Sequence, residues 1–199
     1  MNGKIKFTTK WIVYVAVMTA LVVATNFIPA IPTPAGRIYW VDGVVLIAAF
    51  LLDPLAAFIA GGVGSLLYDV FASPAMMVPS LVIHGLQGAV VSALLRFVLP
   101  NAFKKYEWCK AIVCATAGGF IVVSGYFVFR WITSGLPVAV TNIPRNIIQE
   151  IIGITVAVII CYATSFKRQL EKNNLLPSFK DLKKKPDGEP SGDTHLNSI

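Results

Sequence analysis

In the segment NIPRNIIQEIIG, Asn146 is followed at spacings of three, four and seven by Gln149, Glu150 and Gly153. That spacing places all four on one face of a helix. His84, Gln87 and Gly88 in IHGLQG repeat the pattern in a second segment. Carboxamides and an imidazole offer neutral donors and acceptors, the set that reads the polar edge of a small heterocycle. The same side chains also hydrogen-bond between apolar helices, so ligand recognition and helix-to-helix adhesion are both open to them. His84 is a poor metal ligand on its own, because the second histidine, His195, lies near the end of the chain.

Other polar residues fall at the same level of neighbouring apolar runs. Asp42, Tyr68, Asp69, Tyr126, Arg130 and Arg145 all sit near one end of their segments. Between the first two runs lies FIPAIPTPAGRIYWVDG, whose prolines restrict the backbone without extending a helix. Placed above a pocket, that loop would act as a lid, with Arg37, Tyr39 and Trp40 closing over a ligand. The plain alternative is a tight connector. Tyr126, with the loop aromatics, would supply stacking surface. Together these residues suit a small, flat, nitrogen-containing ring with hydroxyls. A long aliphatic acid suits them less well.

The elements that must position these groups follow from composition. Of 199 residues, 56% are hydrophobic and 14% charged, which describes an integral membrane protein and not a soluble domain. Breaks at proline, glycine and charge divide the chain into six apolar segments, 11–29, 40–52, 54–72, 79–99, 108–133 and 143–165. The sequence therefore predicts an all-α membrane protein with six transmembrane helices. The second segment is too short to cross a hydrocarbon core of about 30 Å unaided. Asp53-Pro54 marks a tight turn, aspartate as the cap and proline in the first turn of the next helix. The first run is of spanning length and is followed by others, so it reads as a retained helix and not a cleaved signal.

Charge sets orientation and partners. The net charge of +7 comes largely from lysines before the first segment, around Lys104, Lys105 and Lys110, and in the tail. An even number of spans puts all three groups on one side, which basic residues mark as cytoplasmic. The expected domains are residues 1–10 as a cytoplasmic N-terminus, 11–165 as the membrane domain and 166–199 as a polar, disordered cytoplasmic tail. Juxtamembrane lysines touch anionic headgroups of the plasma membrane, which leaves no role for nucleic acid. Arg96 is placed to snorkel to the cytoplasmic surface. Cys109, Cys114 and Cys161 match neither metal spacing nor a disulfide framework.

No nucleotide-binding motif or cofactor motif occurs. GGVGS lies within a span and lacks the lysine that grips phosphate. HExxH is absent, and VVSG lacks the first glycine of a rhomboid-type serine motif, so no enzyme is expected. Uphill movement of a ligand would need energy from a partner. Ala16, Ala20 and Ala24 on the first helix make a small-residue face, suited either to packing within the fold or to docking a partner helix.

AVMTALVVATNFIP, the stretch from IPTPAGRIYWVDG through GGVGSLLYD, IHGLQG and NIPRNIIQEIIG resemble the substrate-binding S component of energy-coupling factor (ECF) vitamin transporters. The resemblance covers residues 11–165 and is most specific over 32–88, within the branch named for riboflavin that includes hydroxymethylpyrimidine and pyridoxine transporters. It implies an S-component-like bundle that captures a vitamin outside and docks with a transmembrane coupling (T) protein and two cytoplasmic ATPases. It further implies that Ala16, Ala20 and Ala24 meet the coupling protein and that Arg37, His84, Gln87, Asn146 and Gln149 contact ligand. His84 and Gln87 stand where the family often has lysine and glutamate, and Glu150 where glycine is common. A self-sufficient transporter of a heterocycle and a ligandless membrane scaffold are the alternatives.

Overall fold

A computed structural model describes residues 9–33, 36–99, 106–164 and 166–172. Helix α1 (Thr9–Asn26) turns Trp11, Val15, Met18, Val22 and Asn26 inward, a stripe repeating every three to four residues. Its other faces, including Ile12, Val13, Val17 and Leu21, are exposed, as lipid contact requires. Strands β1 (Ile31–Thr33) and β2 (Gly36–Ile38) follow and pair antiparallel, with Ile31 opposite Ile38 and Thr33 opposite Gly36. The expected stiff loop is thus a small hairpin. Gly36 has φ +121°, a left-handed conformation that glycine adopts without strain.

Helix α2 (Val41–Leu51) is the hub of the bundle. Ten of its eleven residues are buried, and at 1.5 Å per residue it extends only about 16 Å. Its C-terminal carbonyls therefore end inside the protein and need partners. Arg96 supplies them, donating to the carbonyls of Ala49 at 2.9 Å and Phe50 at 3.2 Å, while the Ser92 hydroxyl donates to Leu52 at 2.7 Å. The expectation that Arg96 snorkels is corrected here: a cation beside a helix C-terminus meets both the free carbonyls and the helix dipole.

Helix α3 (Pro54–Ala72) starts as expected. Asp53 caps it, accepting from the backbone N–H of Leu55 and Ala56 at 3.1 and 3.0 Å, and its second oxygen accepts from the Trp11 indole. Helix α4 (Pro74–Val98) packs so closely on α3 that a Cβ at Gly61 or Gly62 would lie within 2.7 Å of the His84 or Leu81 carbonyl. Helix α5 (Glu107–Ser134) and helix α6 (Leu136–Ala163) complete the membrane bundle. A short helix, α7 (Phe166–Lys172), follows, so the first part of the expected tail is helical. The remainder of that tail and residues 1–8 lie outside the described residues.

Among the described residues, five helices are long and apolar enough to span a membrane, with α2 as a shorter sixth. The sixth predicted span begins at Leu136 and not at residue 143. A single glycine, Gly135 at φ +88°, makes the whole turn from α5. The polar residues left between the two expected spans are absorbed by the helix: Thr141 and Asn142 both donate to the Val138 carbonyl, and Pro144 is accommodated within it.

Candidate binding cavity

The polar faces of α4 and α6 meet on either side of α2. Gly153 permits this, since a Cβ there would lie 2.8 Å from Cβ of Asp42. Asp42, fully buried, is then reached by two side chains from distant parts of the chain. Gln149 Nε2 donates to Asp42 Oδ2 at 2.6 Å, and His84 Nδ1 lies 3.3 Å from Asp42 Oδ1. The other end of the Gln149 amide accepts from the Tyr39 backbone N–H at 2.9 Å. One carboxamide therefore ties the hairpin to the centre of the bundle.

A second branch leads from the imidazole. Nδ1 also faces Gln87 Oε1 at 3.3 Å, and Nε2 faces the Tyr126 hydroxyl at 3.1 Å. With two acceptors beside Nδ1, the neutral ring carries its proton there and Nε2 accepts from Tyr126. The Tyr126 hydroxyl is in turn 3.1 Å from Ser80 Oγ. Gln87 Nε2 donates to both oxygens of Glu150 at 3.1 and 3.2 Å. Glu150 is buried, so Gln87 satisfies a carboxylate that glycine at that position would not require.

Above this network, under the hairpin, is a cavity of about 200 Å³. Its walls are the hairpin with Arg37 and Tyr39, α3 with Ser65, Tyr68 and Asp69, α4 with Ser80 and His84, α5 with Tyr126 and Arg130, and α6 with Arg145, Asn146 and Gln149. A second cavity of about 280 Å³ adjoins it between the hairpin and the ends of α1 and α3, sharing Arg37, Tyr39 and Tyr68. Of the eight residues singled out in the sequence for substrate, Arg37, Tyr39, His84, Tyr126, Asn146 and Gln149 line the first cavity. Gln87 is fully buried beneath it. Trp40 lies at the join of hairpin and α2, its indole donating to the Pro29 carbonyl at 3.3 Å.

The α3 wall has no counterpart among those eight. Ser65, Tyr68 and Asp69 share a helix face at spacings of three and four, the same signal that singled out α6. Ser65 Oγ is buried without a hydrogen-bond partner among the described residues. From the sequence, Arg130 and Arg145 stand as interfacial anchors or partners of Asp42, Asp69 or Glu150, with ligand contact left open; among the described residues neither lies within ion-pair distance of a carboxylate, and both line the cavity. No group of three or more potential metal ligands occurs among the described residues.

Ala16, Ala20 and Ala24 lie away from the cavity. They line an exposed, largely apolar groove on α1 with Trp11, Val15, Val23, Ile59 and Leu67. This face is not consumed by packing within the chain.

An all-helical bundle of this composition, with a polar cavity at one end, defines a multi-pass membrane protein. The chain belongs to the S-component family of ECF transporters: the model of the ECF-type riboflavin transporter S component matches residues 6–165. The family is one of transport subunits and not of enzymes. The thiamine precursor transporter HmpT of Lactococcus lactis is 30% identical over 152 residues, 74% of this chain and 83% of that protein. A Pyrococcus woesei protein described as "uncharacterized protein in gap 3'region" is 29% identical over 137 residues, 68% of this chain and 88% of the relative.

Proposed function

We propose that this S component captures a small nitrogen heteroaromatic vitamin precursor, hydroxymethylpyrimidine or pyridoxine ahead of riboflavin, in the cavity beneath the hairpin. The observation that carries the reading is the size and lining of that cavity. At about 200 Å³ it falls below the roughly 300–1,000 Å³ of pockets for drug-sized ligands, which suits one ring. Riboflavin would need the adjoining 280 Å³ as well. The similarity to a thiamine precursor transporter points the same way. The family description supports riboflavin as the second reading.

In this reading Arg37, Tyr39, His84, Tyr126 and Asn146 surround the ligand. Gln149 borders it while holding Tyr39, so its main contribution is to keep the hairpin in place. Gln87 acts from below through His84 and Glu150, and Trp40 from behind the hairpin. The cavity faces outside, with both termini cytoplasmic and the protein in the plasma membrane. The groove at Ala16, Ala20 and Ala24 receives the transmembrane coupling protein, and two cytoplasmic ATPases supply the energy.

The test is mass spectrometry of ligand that co-purifies with the chain, followed by titration with hydroxymethylpyrimidine, pyridoxine and riboflavin. Saturable binding of a single-ring ligand is expected. Tighter binding of riboflavin than of either single ring would overturn the preference. Absence of any binding would remove the cavity's proposed role.

A further inference from the structure

Three arginines line the same cavity, Arg37 from the hairpin, Arg130 from α5 and Arg145 from α6. A guanidinium stays charged at any physiological pH and is expensive to hold near an apolar core without a counter-charge. None of the three has a carboxylate within ion-pair distance among the described residues, where the one basic side chain that close to a carboxylate is His84, 3.3 Å from Asp42. The cavity wall carries a single carboxylate, Asp69, which faces Ser80 and His84 on α4. Asp42 and Glu150 lie below, Asp42 engaged by Gln149 and His84 and Glu150 by Gln87. On the cavity wall itself three cations confront one acid.

Arg145 is also held in place. Its Nε and Nη2 donate to Asn146 Oδ1 at 3.2 and 2.8 Å, and Nη1 lies against the hairpin, 3.0 Å from where a Cβ at Gly36 would stand. The acceptor that fixes it is a neutral amide, which orients the guanidinium without cancelling its charge. Neither hydrogen bond uses Nη1. Basic residues are depleted on the outer side of membrane proteins. In the proposed orientation, topology therefore gives no reason for three arginines here.

We propose that the hairpin end of this cavity is an anion subsite, in which Arg37, Arg130 and Arg145 hold a phosphate monoester or carboxylate carried by the heteroaromatic ligand. The inference rests on the reading of the cavity as the site of a single-ring heteroaromatic and moves the preferred ligand from the uncharged precursor to an anionic derivative of it. The ligand is a single ring bearing one anionic substituent, its uncharged edge directed toward His84 and Tyr126. Planar guanidiniums match such oxygens with paired N–H donors. The phosphate of a lipid headgroup presents the same chemistry, so the test must separate the two sources.

Purified full-length chain in neutral detergent is titrated with matched pairs: hydroxymethylpyrimidine and its phosphate, pyridoxine and pyridoxine 5′-phosphate, riboflavin and flavin mononucleotide. The anionic member of the best pair is expected to bind at least about tenfold tighter, and added salt should erode that advantage. Arg130→Gln and Arg145→Gln should each lower the ratio of anionic to neutral affinity by about 10- to 150-fold, and Arg145→Lys should restore part of it. Circular dichroism and a monodisperse gel-filtration profile report that each variant is folded. Equal or weaker binding of the anionic member would overturn the subsite while leaving the cavity reading intact. If no member of any pair binds, the cavity reading fails and the subsite with it. In nanodiscs, loss of bound phosphatidylglycerol from the arginine variants, with no change in ligand preference, would assign the cluster to lipid and also overturn the proposal.

Discussion

Replacing Gln149 by leucine tests how the hairpin is held. The substitution deletes two hydrogen bonds of unequal value. The bond from Nε2 to Asp42 at 2.6 Å serves a fully buried carboxylate, and a hydrogen bond to a charged group is worth about 1.5–3 kcal/mol. The bond from the Tyr39 N–H to Oε1 at 2.9 Å is neutral, and such bonds between membrane segments average about 0.6 kcal/mol. The loss should total roughly 2–4 kcal/mol, most of it from the Asp42 end. At about 2–4 °C per kcal/mol for a chain of this size, the melting temperature in detergent should fall by roughly 4–16 °C. Hydrogen exchange at the Tyr39 amide should accelerate, because its acceptor is gone while strand pairing of the hairpin is untouched. Gln149→Glu separates the two ends. It retains an acceptor for Tyr39 but sets a carboxylate against Asp42, so the amide should stay protected while stability falls. An unchanged melting temperature in Gln149→Leu, or an unprotected Tyr39 amide in the wild type, would refute this account.

Two further outcomes follow from the surface and the topology. Ala20→Trp fills the exposed groove on α1 without touching the cavity, so it should abolish uptake when the coupling protein and ATPases are present, yet leave ligand affinity within about twofold, because bulk at a small-residue face blocks close helix approach; loss of binding in the isolated variant would show that the groove supports the fold. In a background without Cys109, Cys114 and Cys161, a cysteine at Pro137 should react with an impermeant thiol reagent from outside, and one at Lys105 should not; the reverse pattern would invert the proposed orientation.

Much of this molecule was legible in one dimension. Hydropathy and length gave the spans, since only a long apolar helix satisfies its backbone in lipid. Asp53-Pro54 announced the start of α3 because capping is a local interaction, and the structure shows the carboxylate on the two expected N–H groups. The polar residues fell at one level because depth follows from counting along each helix. Where local cues competed, the reading faltered: the last span was expected to begin at residue 143, but Thr141 and Asn142 found partners inside a helix that starts at Leu136.

What counting could not supply was the rotation of each helix and the identity of its neighbour. Gln149 meets Asp42 across 107 positions and Gln87 meets Glu150 across 63. The first pairing exists because Gly153 lets α2 and α6 approach, and the second lies against Gly118 and Gly119 of α5, where a Cβ would come within 3.3 Å of Gln87 Cγ and 3.1 Å of Glu150 Oε2. The same contacts commit Gln87 to a buried carboxylate and leave Asn146 on the cavity wall. Arg96 likewise lay at the right depth to snorkel, but only the tertiary structure showed that the short α2 ends within its reach. Lipid provides no hydrophobic force that selects one apolar helix face over another. The sequence by itself therefore determined the spans and the level of the polar groups, while close packing at small residues decided which of them meet.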